Sequence, residues 1–430
     1  MLIDTVKLPV RELTLGMQVV RLDRPWEGTP FLLQGFRIKT VEELKQLQAL
    51  CAYVYVDFKR GITPPTGRGE RVMLNEDGET VEIQGKVSGL ARSERPRPAP
   101  ARVEAPALPP PAQDYPITAA IDAELSRARA AIGAARQGLR QVVGALRDGL
   151  LPSLEPLTRA AGELVDSLVR NPDAAVLLRA LTDDAPFSAR HAVDAAIVAL
   201  VIGRGLGLRR YVLEDLALGL LVADLGKLRL PAELLRAPRR LDAGESETVK
   251  LHVQHSLDIV RELGGLRPGV LEVVAGHHER FDGSGYPRGL VGAAIPLSAR
   301  IAGLADAFTA LTSARGYAEP VAQHEAVQEL YAASLPVFQR ELVGALIQGL
   351  GTHPIGSLVE LGDGSIALVV AQNRERRLLP VVLTLSDAAR RPLPARRLRN
   401  LAGEGGPMVK GVLSAEEAGL PAPSVELLYA

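Results

Sequence analysis

A single cysteine, Cys51, stands in 430 residues, so neither an intrachain disulfide nor a cysteine-rich metal site can form. A lone thiol of this kind reads as a small buried hydrophobe. Charge of either sign is not in excess either: Lys+Arg and Asp+Glu both number 50. That argues against a nucleic-acid polymer or an anionic membrane as partner, since both favour a basic surplus. Long apolar runs are missing too. The richest, residues 195–203, is followed by Arg204, Arg209 and Arg210, and a membrane-spanning helix needs roughly 20 apolar residues. Residues 1–7 lack the basic start and apolar core of a signal peptide. The expectation is a cytoplasmic chain with no membrane span, and no internal repeat is found.

What is present is ordinary globular composition, 47% hydrophobic and 23% charged, in a chain long enough for two or three cores. Residues 1–86 alternate short strand-like runs with turn signals and one helical stretch, 41–50, which predicts a small α+β module. Residues 71–74 and 80–83 flank the polar segment 75–79, a hairpin signal. Residues 87–116 break character. Pro96, Pro98, Pro100 and the run Pro109-Pro110-Pro111 sustain neither helix nor core, so a semi-rigid spacer is expected. From 117 to 350 apolar residues recur at three- and four-residue intervals, the period of a helical bundle. Residues 121–150 read as one long helix, and 282–296 as a Gly-rich loop. Residues 351–430 change period again. A hairpin is expected around Gly362-Asp363-Gly364, with a further strand at 380–384, giving a short β-rich tail.

Five of the seven histidines fall between positions 191 and 278. With two aspartates they make a set: His191, Asp224, His252, His277, His278 and Asp306. Neutral imidazole and carboxylate suit iron, manganese, zinc or a similar divalent ion. Spacing this long is what a bundle uses to collect ligands at its centre. Adjacent residues on a helix point about 100° apart, so His277 and His278 can share a site only near a helix end. The loop beginning four residues later meets that condition.

The surroundings of this set resemble a known family. His277-His278-Glu279-Arg280-Phe281-Asp282-Gly283-Ser284-Gly285-Tyr286-Pro287 looks like the signature of HD-GYP domains, and Leu304-Ala305-Asp306 through Ser313, with Arg315 and Tyr317, is similar to the next block. Asp224-Leu225-Gly226-Lys227, His252-Val253 and Phe187-Ser188-Ala189-Arg190-His191 match earlier blocks, so the core motifs span 187–317. Leu8-Pro9-Val10, Gly16-Met17, Arg24-Pro25-Trp26, Pro30-Phe31 and Val54-Tyr55-Val56-Asp57 are similar to a module of unknown function found before many HD-GYP domains. The segment from Pro354 resembles the β-rich tail of the same group.

The resemblance implies a multidomain chain: a small α+β module, an all-α HD-type bundle and a short β-rich tail. It implies a bacterial signalling phosphodiesterase in which a metal-activated water attacks a phosphodiester of cyclic di-GMP, yielding the linear dinucleotide or GMP. One or two divalent ions, iron or manganese, would be held. Asp224 would bridge them, His252, His277 and His278 would complete one shell, and His191 and Asp306 would serve the other. Lys227, one turn from Asp224 on the same face, would contact phosphate or act as a general acid, although a salt-bridging lysine looks the same. Arg315 would contact guanine or phosphate. Arg280, Asp282, Gly285 and Tyr286 would line the substrate, the glycines permitting positive φ and close backbone approach; surface structure is the alternative for Arg280 and Tyr286.

Two departures matter. The dyad that names the family is Ala223-Asp224 here, so the shell of His191 and Asp306 lacks a ligand. Phe187 stands where members with three metals carry a glutamate, which argues against a third ion. The expectation is one well-held metal beside a weak or vacant position; His255, one turn after His252, is the nearest substitute, although an exposed helix histidine is the better reading of it. Three classes compete: a weakened phosphodiesterase, a protein that binds cyclic di-GMP or a signalling partner through the Gly-Tyr-Pro loop without turnover, and an adaptor assembled by the N-terminal module and the long helix. A homodimer through that helix is also expected.

Overall fold

The computed structural model describes residues 3–23, 36–38, 41–57, 70–74, 80–81, 106–182, 187–237, 239, 241–313, 320–333, 337–403 and 406–428. The segments 24–31, 75–79 and 88–105, together with Arg315 and Tyr317, lie outside the described residues. The chain divides into two units, Met1–Ala99 and Pro100–Ala430.

In the first unit β1 (Ile3–Pro9), β2 (Gln18–Leu22), β3 (Phe36–Arg37), α1 (Val41–Leu50), β4 (Tyr53–Asp57), β5 (Glu70–Leu74) and β6 (Thr80–Val81) follow in order. The strands make one sheet, β3-β2-β4-β1-β5-β6. Leu8 pairs with Val54 across the antiparallel β1–β4 ladder. Both are buried with Met17, Val19, Ile38, Leu47 and Cys51. The cysteine is thus the small core hydrophobe its isolation implied.

The second unit is helical. Its helices are α2 (Ile121–Arg147), α3 (Glu155–Arg170), α4 (Pro172–Leu181), α5 (Phe187–Gly205), α6 (Arg210–Val222), α7 (Ala232–Leu235), α8 (Ala243–Lys250), α9 (His252–Leu263), α10 (Pro268–Gly276), α11 (Leu297–Leu311), α12 (Gln323–Ala333) and α13 (Arg340–Leu350). Residues 195–203 of α5 are all buried, because the apolar run there leaves no polar face to turn outward. That makes α5 the central post, packed by α6, α11 and α13. The long helix α2 stops at Arg147, short of 150, and Gly149 takes φ 73° just beyond it. Its apolar stripe, including Ala128, Ile132, Ala135 and Leu139, is buried within this unit, where α3 and α4 pack against it.

The far end of the expected spacer is held rather than free. Residues 106–116 belong to no helix or strand, as their prolines dictate. Tyr115 is buried and its hydroxyl donates to Leu208 O at 2.7 Å, and Gln339 Nε2 donates to Pro106 O at 3.0 Å.

After α13 come β7 (Leu358–Leu361), β8 (Ile366–Ala371), β9 (Val381–Ser386), β10 (Pro392–Asn400), β11 (Val409–Leu413) and α14 (Ala415–Ala418). The strands form an antiparallel sheet in the order β10-β9-β8-β7-β11. The expected hairpin is there, with Gly364 at φ 82°. The sheet leans on α4, where buried Asp173 accepts from Gln372 N at 3.0 Å and pairs with Arg374.

Candidate metal centre

Three short stretches at helix ends, with one residue each from α5 and α11, build the site. Asp224 follows the end of α6 and opens a 3₁₀ turn, Leu225–Arg229. That turn closes with Lys227 N donating to Asp224 O at 3.0 Å. It brings the Lys227 ammonium to 2.6 Å from Asp224 Oδ2. The turn lies so close to α9 that a Cβ on Gly226 would come 2.0 Å from His252 O; only glycine fits there. His252 opens α9, and α10 ends at Gly276 with His277 as its C-cap. The helix end thus lets both neighbouring rings turn to one place, their centroids 4.2 Å apart. Asp306 comes from α11 and His191 from α5.

One atom each from Asp224, His252, His277 and His278 lies within 4.8 Å of the others. The hydrogen bonds around them fix what those atoms are. His252 Nδ1 lies 2.6 Å from Val249 O, and His277 Nδ1 lies 2.9 Å from Val274 O. A carbonyl can only accept, so both Nδ1 atoms carry the proton and both Nε2 atoms present lone pairs. The two Nε2 atoms stand 3.4 and 3.9 Å from Asp224 Oδ1. All three atoms are buried without a hydrogen-bond partner. Three acceptors facing one another with no donor between them make a costly arrangement. A divalent cation is the species that satisfies it, and this donor set fits one.

Electrostatics agree. Burial pushes the His252 ring down to about 4, and drives His277 and His278 below their ordinary value as well. The rings are therefore neutral near pH 7, the form that ligates. Burial alone would raise Asp224, but Lys227 and the surrounding histidines outweigh it and hold the carboxyl below its usual range.

His191 and Asp306 behave differently. His191 Nε2 donates directly to Asp306 Oδ1 at 2.8 Å, so that nitrogen offers no lone pair. Burial would raise Asp306, yet the bond from His191 and the nearby His278 ring hold it well below the ordinary range. His278 Nδ1 is 3.7 Å from Asp306 Oδ2, which joins this pair to the cluster. Ala223 is 3% exposed, and its methyl supplies no ligand. His255, the substitute weighed from the sequence, is half-buried and outside the cluster.

The Gly-Tyr-Pro loop closes over this site. The Tyr286 ring stacks on His278 at 4.6 Å and 25°, and Tyr286 N donates to His278 O at 3.1 Å. Positive φ belongs to Gly283 and Gly289. Gly285 serves by close approach instead, since a Cβ there would lie 2.3 Å from Arg280 N. Arg280 and Asp282, expected against substrate, also brace the loop. Arg280 Nη1 donates to the carbonyls of His277 and Glu279 at 3.1 and 3.0 Å. Asp282 Oδ1 accepts from Ser284 N and Oγ.

Two residues escaped the sequence reading. Glu279 is 2% exposed, and its two carboxylate oxygens accept from Arg288 N at 2.8 Å and Leu290 N at 2.9 Å. A charged side chain so deeply buried needs such partners, and its place beside the histidine pair was the available signal. Lys250 Nζ lies 5.4 Å from the centroid of the Tyr286 ring. Nothing in the sequence distinguished it.

Comparison with known proteins supplies the context. Residues 175–341 match the HD domain, and residues 5–157 match a domain of unknown function, DUF3391. The second match runs through the spacer and α2. A cyclic di-GMP phosphodiesterase of Pseudomonas aeruginosa is 27% identical over 90% of this chain and 87% of its own length. A cyclic di-GMP phosphodiesterase response regulator of Xanthomonas campestris is 38% identical over 35% of this chain. A 3'3'-cGAMP-specific phosphodiesterase of Vibrio cholerae is 41% identical over 30% of it. The chain spans only 40% and 30% of the lengths of these last two relatives. No helix among the described residues is long and apolar enough to cross a membrane.

Proposed function

We propose that this chain, an HD-domain protein with a DUF3391 module in front, hydrolyses a phosphodiester bond of cyclic di-GMP. The observation that carries this reading is the convergence of Asp224 Oδ1, His252 Nε2 and His277 Nε2, three buried acceptors with no donor between them. The names of the relatives supply the substrate class. Asp224, His252, His277 and His278 would hold one divalent ion, iron or manganese. When bound, such an ion supplies Lewis-acid polarisation of a phosphoryl oxygen and acidifies water. The chain's own residues do the rest. Val249 O and Val274 O keep both imidazoles in the ligating tautomer. Lys227 meets a phosphoryl oxygen or gives a proton to the leaving oxygen. Tyr286, stacked on His278, shields the reacting centre from bulk water.

The test is turnover of cyclic di-GMP by full-length protein purified without oxygen and supplied with manganese or iron(II). Asp224→Ala should abolish product and lower metal affinity at least about 100-fold, beyond the range that losses around a ligand shell produce. Equal turnover by both proteins would remove this reading.

A second reading, cyclic di-GMP binding without turnover, is favoured by Ala223 and by the closed His191–Asp306 pair. Calorimetric binding by protein that yields no product would establish it. A homodimer, and a signalling partner on the Gly-Tyr-Pro loop or N-terminal module, belong to either reading.

A further inference from the structure

Cyclic di-GMP carries two phosphodiesters and therefore two negative charges. The one being cleaved belongs at the ligand cluster, where Lys227 is already 2.6 Å from Asp224. The other needs a cation at the rim. Arg280, beside Tyr286, already turns Nη1 inward to the carbonyls of His277 and Glu279. Lys250 is not turned inward in this way. It ends α8 two residues before His252, and its ammonium lies 5.4 Å from the centroid of the Tyr286 ring, the ring that stacks on His278. Its side chain is 40% exposed, and its ion partner is Glu247, one turn back at 2.6 Å and 71% exposed. An exposed pair on one helix is weak and readily exchanged for a stronger anion.

From this arrangement we infer that Lys250 binds the second, uncleaved phosphate of the cyclic dinucleotide, and that Glu247 restrains it until substrate arrives. This assignment rests on the phosphodiesterase reading above and adds a substrate contact to it. The face of the Tyr286 ring attracts the Lys250 ammonium, 5.4 Å from its centroid, and keeps it beside the site.

The two residues make opposite predictions. Lys250→Met should raise KM for cyclic di-GMP roughly tenfold, the loss of one hydrogen bond to a charged group, with little change in kcat. Lys250→Arg should restore most of the affinity, since it keeps the charge. Glu247→Gln should lower KM by about twofold, because the competing partner is gone. The rise caused by Lys250→Met should be smaller for bis(p-nitrophenyl) phosphate, which has one phosphate. If the wild type binds without turnover, the dissociation constants from calorimetry should move in the same directions. An unchanged KM or Kd in Lys250→Met, or equal effects on the two substrates, overturns the assignment while leaving hydrolysis in place. Wild-type protein that neither binds nor hydrolyses cyclic di-GMP overturns both.

Discussion

Two groups of potential ligands sit side by side in one helical unit and have opposite characters. Asp224, His252 and His277 point acceptors at one another and leave them unpaired. His191 and Asp306 pair with each other at 2.8 Å. The first group is held open by backbone carbonyls that fix the proton on the far side of each ring. In the second, His191 Nε2 and Asp306 Oδ1 satisfy each other, and the neighbouring position is Ala223 rather than a third ligand. Residue types alone do not make a metal site. What decides is whether the hydrogen bonds around them leave the ligating atoms empty.

The sharpest way to break this contrast is to truncate one histidine from each group. His277→Ala should lower manganese affinity by about 10- to 100-fold or more, read by calorimetry. His191→Ala should change that affinity far less. Its cost should fall on stability instead, about 1–3 kcal/mol for leaving Asp306 without its buried donor, read as a shift in the urea midpoint. Equal losses of metal affinity in the two variants would show that the groups act as one site.

Ala223→His addresses the other side of the comparison. The new imidazole would give the His191–Asp306 group a further ligand, and the metal-to-protein ratio should rise from one towards two. Ala223 is buried, so the larger side chain should also cost about 1–3 kcal/mol of stability in metal-free protein. A ratio that stays at one would mean that the His191–Asp306 bond keeps the pair closed even when a ligand is supplied.

Much of this was legible in the chain. The residue types at 191, 224, 252, 277, 278 and 306 raise the expectation of a metal-binding set, and four of them, Asp224, His252, His277 and His278, do converge. The helical period marks the unit that holds them, and the histidine pair demanded the helix end that α10 provides. Other features were not legible, for physical reasons. The division of the set depends on angstrom-scale distances between helices far apart in sequence. The strand β10 hides behind Pro392, Pro394 and its arginines, which an edge strand tolerates and a central strand does not. The hydrogen bonds that Arg280 and Asp282 make within the loop depend on its fold and not on their charges.

The smallest expected effect concerns the loop rather than either ligand group. Glu279 fastens residues 288 and 290 through one oxygen each, and so holds the segment that lays Tyr286 on His278. Glu279→Gln keeps the shape but turns one acceptor into an amide donor, which then faces a backbone N–H. The cost should be about 1–3 kcal/mol of local stability, read as faster amide hydrogen exchange across 283–290. Metal affinity should hardly change, because Asp224, His252 and His277 owe their orientation to other bonds. KM for cyclic di-GMP should rise a few-fold as Tyr286 loosens, whereas a loss of metal would instead mean that the loop and the open ligand group are one cooperative unit.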